Sequence, residues 1–122
     1  MEFTDFYRNH RILITGHTGF KGGWLTVWLK LLGAKVCGIS LPPERAPNFF
    51  ELSHVDRGME SHFSDITDAV ALKKIVQKFE PETVIHMAAQ PFVRRSYDQP
   101  IKTFNTNVMG TINLLEALRV TP

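Results

Sequence analysis

With 122 residues, 43% of them apolar, the chain can bury one small hydrophobic core. A formal net charge of +2, from Lys and Arg scattered along the chain, argues against a nucleic-acid partner. One cysteine, Cys37, excludes an intramolecular disulfide framework and suits a reducing compartment; the start, MEFTDFYRNHR, has no apolar signal core, and no run approaches the roughly 20 residues that span a bilayer, so a soluble, cytoplasmic protein with no membrane partner is expected.

The first clear element is RILIT, Arg11–Thr15, short, apolar and β-branched and ending at a glycine, which reads as a buried parallel strand. GGWLTVWLKLLG follows as a helix, with Trp24, Leu25, Trp28, Leu31 and Leu32 at helical spacing and Gly33 as its stop. Ala34–Ser40 is a second apolar strand. The proline- and charge-rich stretch 41–59 reads as a loop with one short helical turn near Phe49–Leu52. Glu60–Phe63 is a short third strand leading to Asp65. Asp68 caps a helix over Ala69–Phe79, with Leu72, Ile75, Val76 and Phe79 on its apolar face and Pro81 as its end. ETVIHMAAQ is a fourth strand that runs out into small residues, PFVRRSYDQP a loop, and Ile101–Val120 a long helix with Phe104, Val108, Ile112, Leu115 and Leu118 along one stripe.

Strands alternating with helices four times predict an α/β fold: a Rossmann-type parallel sheet with flanking helices, right-handed crossovers and strand order 3-2-1-4. Sheets of this kind bind ligands at the carboxyl ends of the strands where the order reverses, here between the first and fourth. Those ends carry Thr15-Gly16 and Ala88-Ala89-Gln90. The fourth strand would be a bare sheet edge, and unpaired edges invite association. Residues 1–122 are therefore expected to be the N-terminal portion of a longer protein whose remainder lies outside this chain. A small flavodoxin-like domain is the alternative, although it would need a fifth strand and a Ser/Thr-rich phosphate loop.

Gly16-x-x-Gly19-x-x-Gly22 follows a strand and opens a helix, the setting a dinucleotide fingerprint requires. The first glycine suits a turn with positive φ, the second lets backbone approach a pyrophosphate, and the third lets helix and strand pack closely. The helix N-terminus then offers free N–H groups, and Lys21 adds a cation. A glycine-rich turn with no ligand is the plainer alternative. No Walker A pattern is present. The ribose contact is expected at the end of the second strand, about 20 residues on. Ser40 stands there, without a carboxylate; Glu44 and Arg45 follow, and Arg45 would either meet a 2′-phosphate or lie solvated. These residues alone leave NAD against NADP open. Asp65 ends the third strand, where it would either accept from an adenine amino group, with Ile66 N–H beside it, or bond its own backbone as a turn residue. His86 is expected to be packed or structurally bonded rather than catalytic. His10, His17, His54 and His62 show no metal-ligand spacing with Cys37 or with one another, so no metal is expected. Asn105, Thr106 and Asn107 are polar residues in a segment that looks buried, and Asn107 would either tie the last helix to the fourth strand or face solvent with Asn105.

ITGHTGFKGGWL, HMAAQPFVRRSYDQP and TNVMGT together resemble the extended short-chain dehydrogenase/reductase family of nucleotide-sugar enzymes, from Arg11 to Leu118. Within it, GHTGFKG and HMAAQP are most similar to the 4,6-dehydratases that act on CDP-glucose. The resemblance implies a nucleotide-sugar substrate and tightly held NAD. The cofactor would take a hydride from C4 of the sugar, water would leave across C5 and C6, and the hydride would return to C6. It also implies that Gly16, Thr18, Gly19, Phe20, Lys21 and Gly22 surround the pyrophosphate and that Asp65 and Ile66 meet the adenine. Ala88, Ala89 and Gln90 would line the nicotinamide ribose with Thr106 nearby, and Gln90 and Val93 would face the sugar. Ser40 departs from the acidic ribose contact of many members.

The family's Tyr-x-x-x-Lys pair is missing: Arg11 follows Tyr7 by four residues and Ile101 follows Tyr97 by four. No catalytic residue is therefore expected within these residues, and the chain alone is expected to be inactive; the full-length protein is expected to be a homo-oligomer. An epimerase or reductase of the same family, and a non-catalytic NAD(P)-sensing module, are the alternative readings.

Overall fold

The computed structural model describes residues 2–122. Its elements are α1 (Phe3–Tyr7), β1 (Arg11–Thr15), α2 (Phe20–Leu31), β2 (Lys35–Ser40), α3 (Phe49–Leu52), β3 (Glu60–Phe63), α4 (Ala69–Phe79), β4 (Thr83–His86), α5 (Val93–Asp98), α6 (Pro100–Phe104), a π-helical turn (Asn105–Met109) and α7 (Gly110–Arg119). The four strands form one sheet in the order β3-β2-β1-β4, and every pairing is parallel.

β1 explains why the sheet is covered on both faces. Successive side chains of a strand point to opposite sides. Ile12 and Ile14 pack with Leu29 of α2 and Val36 on one face. Leu13 packs with Cys37, Ile39, Leu72 and Val76 of α4, and Leu114 and Ala117 of α7 on the other. A strand buried on both faces has no polar position to offer, which is why RILIT is almost continuously apolar. The cap at Asp68 forms as the sequence predicts, accepting from the Ala71 N–H at 3.0 Å.

Two helices bury a different face from the one their apolar spacing suggests. In α2 the buried residues are Gly22, Gly23, Thr26 and Leu29, while Trp24, Trp28 and Leu31 are exposed, Leu31 by 81%. In α7 the buried residues are Gly110, Leu114 and Ala117, while Phe104, Val108, Ile112 and Leu115 of the expected stripe are exposed. The reason is steric. At Gly22 and Gly110 an added Cβ would stand 2.0 Å from the Gly16 oxygen and 2.4 Å from Ile66 Cδ1 respectively. Helices that come this close must present small residues, so the bulky stripe is left outward.

The expected loop at 91–100 contains a helix, α5, and Pro100 begins the next one, at a position where its missing N–H costs nothing. The expected single helix 101–120 is divided by the π-helical turn at Asn105–Met109. β4 stops at His86, so Met87–Gln90 are irregular backbone. Among the described residues, no helix is long and apolar enough to cross a membrane.

Candidate functional site

A cleft of about 430 Å³ opens at the carboxyl ends of the strands. The register puts Thr15 beside Ile39 of β2 and His86 of β4, so the glycine turn emerges between the ends of both neighbours. Gly16, Thr18, Gly19, Phe20, Ser40, Asp65, Ile66, Ala88, Ala89, Gln90 and Thr106 all line this cleft. Residues far apart along the chain are thus brought to one hollow by the winding of the sheet.

The three glycines have distinct jobs. Gly16 has φ +84°, and a Cβ there would stand 2.9 Å from the Met87 carbonyl carbon and the Ala88 nitrogen. Its bareness lets the turn cross the end of β4. Gly22 lies behind the turn, against the Gly16 oxygen, and closes helix onto strand. Gly19 is the one that faces the hollow: a Cβ there meets only the Gly16 oxygen, at 3.4 Å. Gly19 caps α2 without any side-chain bond, and the first helical bond to reach it is from the Gly23 N–H at 2.8 Å. The amides of residues 20–22 therefore have no acceptor within the helix and carry its positive dipole end. That cradle of free amides beside a bare glycine fits a diphosphate.

Around the second strand's end, Thr18 Oγ1 donates to the Leu41 carbonyl at 2.8 Å and lies 2.7 Å from Ser40 Oγ. With its proton committed, Thr18 is the acceptor of that second bond and Ser40 the donor, which leaves the Ser40 oxygen able to accept from a ribose hydroxyl. Glu44 is held by Arg95 through two bonds of 2.9 and 3.2 Å that join the loop after β2 to α5. The guanidinium beside it holds the Glu44 carboxyl below the usual carboxylate range. Asp65 Oδ1 accepts from Thr67 N and Thr67 Oγ1 at 2.9 and 2.8 Å, an Asx turn that occupies one carboxylate oxygen.

On the far wall, Asn107 grips the backbone of Gln90 twice: Oδ1 accepts from the Gln90 N–H at 2.7 Å, and Nδ2 donates to the Gln90 carbonyl at 3.2 Å. The Gln90 side chain donates to Thr103 Oγ1 and the Phe92 carbonyl and accepts from the Phe92 N–H. Its amide is spent on the α5–α6 corner. His86 lies between Thr15 Oγ1, 2.6 Å from Nδ1, and Thr111 Oγ1, 3.0 Å from Nε2.

Three residues expected at the site stand outside the cleft lining. Gly22 is buried behind the turn, Lys21 projects from the exposed side of α2, and Val93 is 70% exposed on α5. At about 100° per residue Lys21 is turned about 200° away from Gly19, Gly22 is taken up by its contact with the Gly16 oxygen, and the unforeseen helix α5 carries Val93 outward. His17, adjacent to the glycine turn, points inward. It is fully buried, bonds Ser61 Oγ at 2.7 Å through Nε2, and has no partner at Nδ1. Missed from the sequence were Arg95, Lys102 and Asn113. The first two line the cleft, and Asn113 Nδ2 donates to the Ile66 carbonyl at 3.1 Å. Only spatial adjacency marks them.

The side chains of Cys37, Glu60 and His62 converge on adjacent strands with possible ligand atoms within 4.8 Å. Sequence spacing gave no sign of this, because the pairing of β2 with β3 creates it. Burial, with the Glu60 carboxylate beside it, pushes the Cys37 thiol up to about 12. The group is not part of the cleft lining.

A parallel sheet wound 3-2-1-4, with a glycine turn opening a helix at the switch point, is a Rossmann-type fold. The family model for GDP-mannose 4,6 dehydratase matches residues 13–122, and the chain belongs to that family. It is 50% identical over 115 residues to CDP-glucose 4,6-dehydratase of Salmonella typhimurium, covering 94% of this chain and 32% of that protein. It is 35% identical over 116 residues to GDP-mannose 4,6-dehydratase of Vibrio cholerae, covering 90% of this chain and 31% of that protein. Among solved structures, the UDP-glucose 4-epimerase of Thermus thermophilus in complex with NAD superposes with a TM-score of 0.77 at 32% identity, over 89% of this chain and 33% of that one. The chain thus spans about a third of the length of the relatives it matches.

Proposed function

We propose that this chain is the cofactor-binding part of an NAD-dependent nucleotide-sugar 4,6-dehydratase acting on CDP-glucose. The observation that carries the cofactor reading is the bare Gly19 at a helix start whose first amides are free, set in a cleft at the switch point. The substrate reading is supported by the 50% identity to a CDP-glucose 4,6-dehydratase, against 35% or 36% to GDP-mannose enzymes.

In this reading the amides after Gly19 receive the diphosphate, Ser40 accepts from the adenosine ribose, and the free oxygen of Asp65 with the Ile66 N–H meets the adenine. Ala88 and Ala89 leave room for the nicotinamide ribose beside Thr106. Lys21 and Gly22 act through the helix backbone, and Val93 and Gln90 belong to the sugar side. Bound NAD would supply the hydride acceptor and donor of the reaction. In this reading the groups that move protons on the sugar are supplied from outside these residues. Cytoplasmic location and homo-oligomerisation of the whole protein belong to the same proposal.

Titration with NAD tests the cofactor reading. Gly19→Val fills the cradle without touching the core, so binding should be lost while the fold is kept; unchanged affinity refutes it. Assay of the full-length protein with CDP-glucose, GDP-mannose and UDP-glucose tests the substrate. A higher kcat/KM for either of the latter two overturns the CDP-glucose assignment.

A further inference from the structure

We propose that His86 is a positioning residue, holding the cleft wall in shape only as a neutral imidazole with its proton on Nε2. This rests on the reading above in one respect, that the wall from Met87 to Gln90 meets the nicotinamide end of the cofactor.

The proton positions follow from the two ends of a hydrogen-bond chain. Thr15 Oγ1 accepts from the Ala88 N–H at 3.0 Å and, also at 3.0 Å, from the Met87 N–H, which it shares with the Thr15 carbonyl oxygen at 3.1 Å. A hydroxyl oxygen has two acceptor sites, and both are filled. Its own O–H must therefore donate to His86 Nδ1, which is unprotonated. At the other end, Thr111 Oγ1 donates to the Asn107 carbonyl at 2.7 Å, so toward His86 Nε2 it is an acceptor. Nε2 thus carries the hydrogen. The result is a one-way chain, Thr15 to His86 to Thr111 to Asn107, and Asn107 holds Gln90 by both backbone groups. The end of β1, the irregular wall after β4 and the π-helical turn are locked together through one ring.

A second proton on His86 breaks this order. Nδ1–H would face an oxygen whose acceptor sites are taken, and the Thr15 hydroxyl would have to turn, releasing the Ala88 amide or leaving the Met87 amide to the Thr15 carbonyl alone. The ring is met by Thr15 from β1 and Thr111 from α7, both uncharged, and burial holds its pKa below the ordinary 6.5. The neutral form is the one the fold selects.

The test uses protein labelled with 15N at histidine and NAD as the probe. Long-range 1H–15N correlation should show His86 with Nδ1 bare and Nε2 protonated at neutral pH. Thr111→Val removes the acceptor and should mix the tautomers and weaken NAD binding about tenfold; Thr111→Ser should restore both to within about twofold. In the parent, NAD affinity should fall at acid pH in step with the His86 shift. An Nδ1–H tautomer or an imidazolium at neutral pH overturns the proposal, as does a Thr111→Val protein with unchanged tautomer and unchanged affinity. If the parent binds no NAD, the cofactor reading fails, while the tautomer spectra of parent and variants still decide the role of His86.

Discussion

The imidazole of His17 occupies the space that a side chain on Gly38 would fill: a Cβ built there would stand 2.4 Å from the ring Cγ and 2.5 Å from Cδ2 and Nδ1. The residue after the first glycine of the phosphate turn is thus anchored in the sheet, over a gap left in β2. Its bond to Ser61 extends the anchor to β3. Gly38→Ala should therefore destabilise the fold by about 1–3 kcal/mol through overpacking against a ring that cannot move outward. Urea unfolding of the variant checks this; an unchanged midpoint would show that the ring is free to shift.

His17 also gives the protein an acid limit. Burial, reinforced by the nearby His62, holds its pKa at about 4 against the ordinary 6.5. The unfolded chain takes up this proton below about pH 6.5, and the folded chain does not until about pH 4, so stability falls as pH drops through that window. The contribution is complete above the window and amounts to about 3 kcal/mol across it. Unfolding midpoints compared at neutral and acid pH for the parent and His17→Gln should show a smaller acid loss in the variant.

Gly19 and Gly22 should separate binding from folding. Gly22→Ala places a methyl 2.0 Å from the Gly16 oxygen and must push α2 off the turn, lowering both stability and NAD affinity. Gly19→Ala adds a methyl that meets only the Gly16 oxygen, at 3.4 Å, and should leave the stability within about 0.5 kcal/mol of the parent while weakening NAD binding. Parallel melting curves and NAD titrations distinguish them.

Asn107→Asp keeps the acceptor for the Gln90 N–H but sets a second oxygen against the Gln90 carbonyl. The cost should be about 1–3 kcal/mol of stability, because a half-buried carbonyl loses its donor. Asn107→Ser, which cannot grip both groups, should fall between the parent and the aspartate variant in thermal denaturation. An aspartate variant as stable as the parent would mean that the π-helical turn does not need this grip.

Much of the frame is legible in the residues themselves. RILIT announces a two-sided buried strand, Asp68 announces its helix, and the glycine triplet after the first strand locates the cleft. These are local signals, set by propensity, capping and φ, and the chain carries them within a few positions. Which face of α2 and α7 is buried was not legible, since both helices carry a bulky stripe and a small-residue stripe. The choice belongs to the distance between helix and sheet.

The sequence by itself determined the parallel α/β winding, the strand order and the place of the phosphate turn, because alternating patterns and glycine positions are local. Only the tertiary structure decided which residues meet: Thr15 with His86, His86 with Thr111, Glu44 with Arg95, His17 with the gap at Gly38, and Gln90 as the partner in the tie that Asn107 was expected to make. The hydrogen bonds among these join positions 17 to 71 residues apart. They depend on strand register and helix packing, which no single segment encodes.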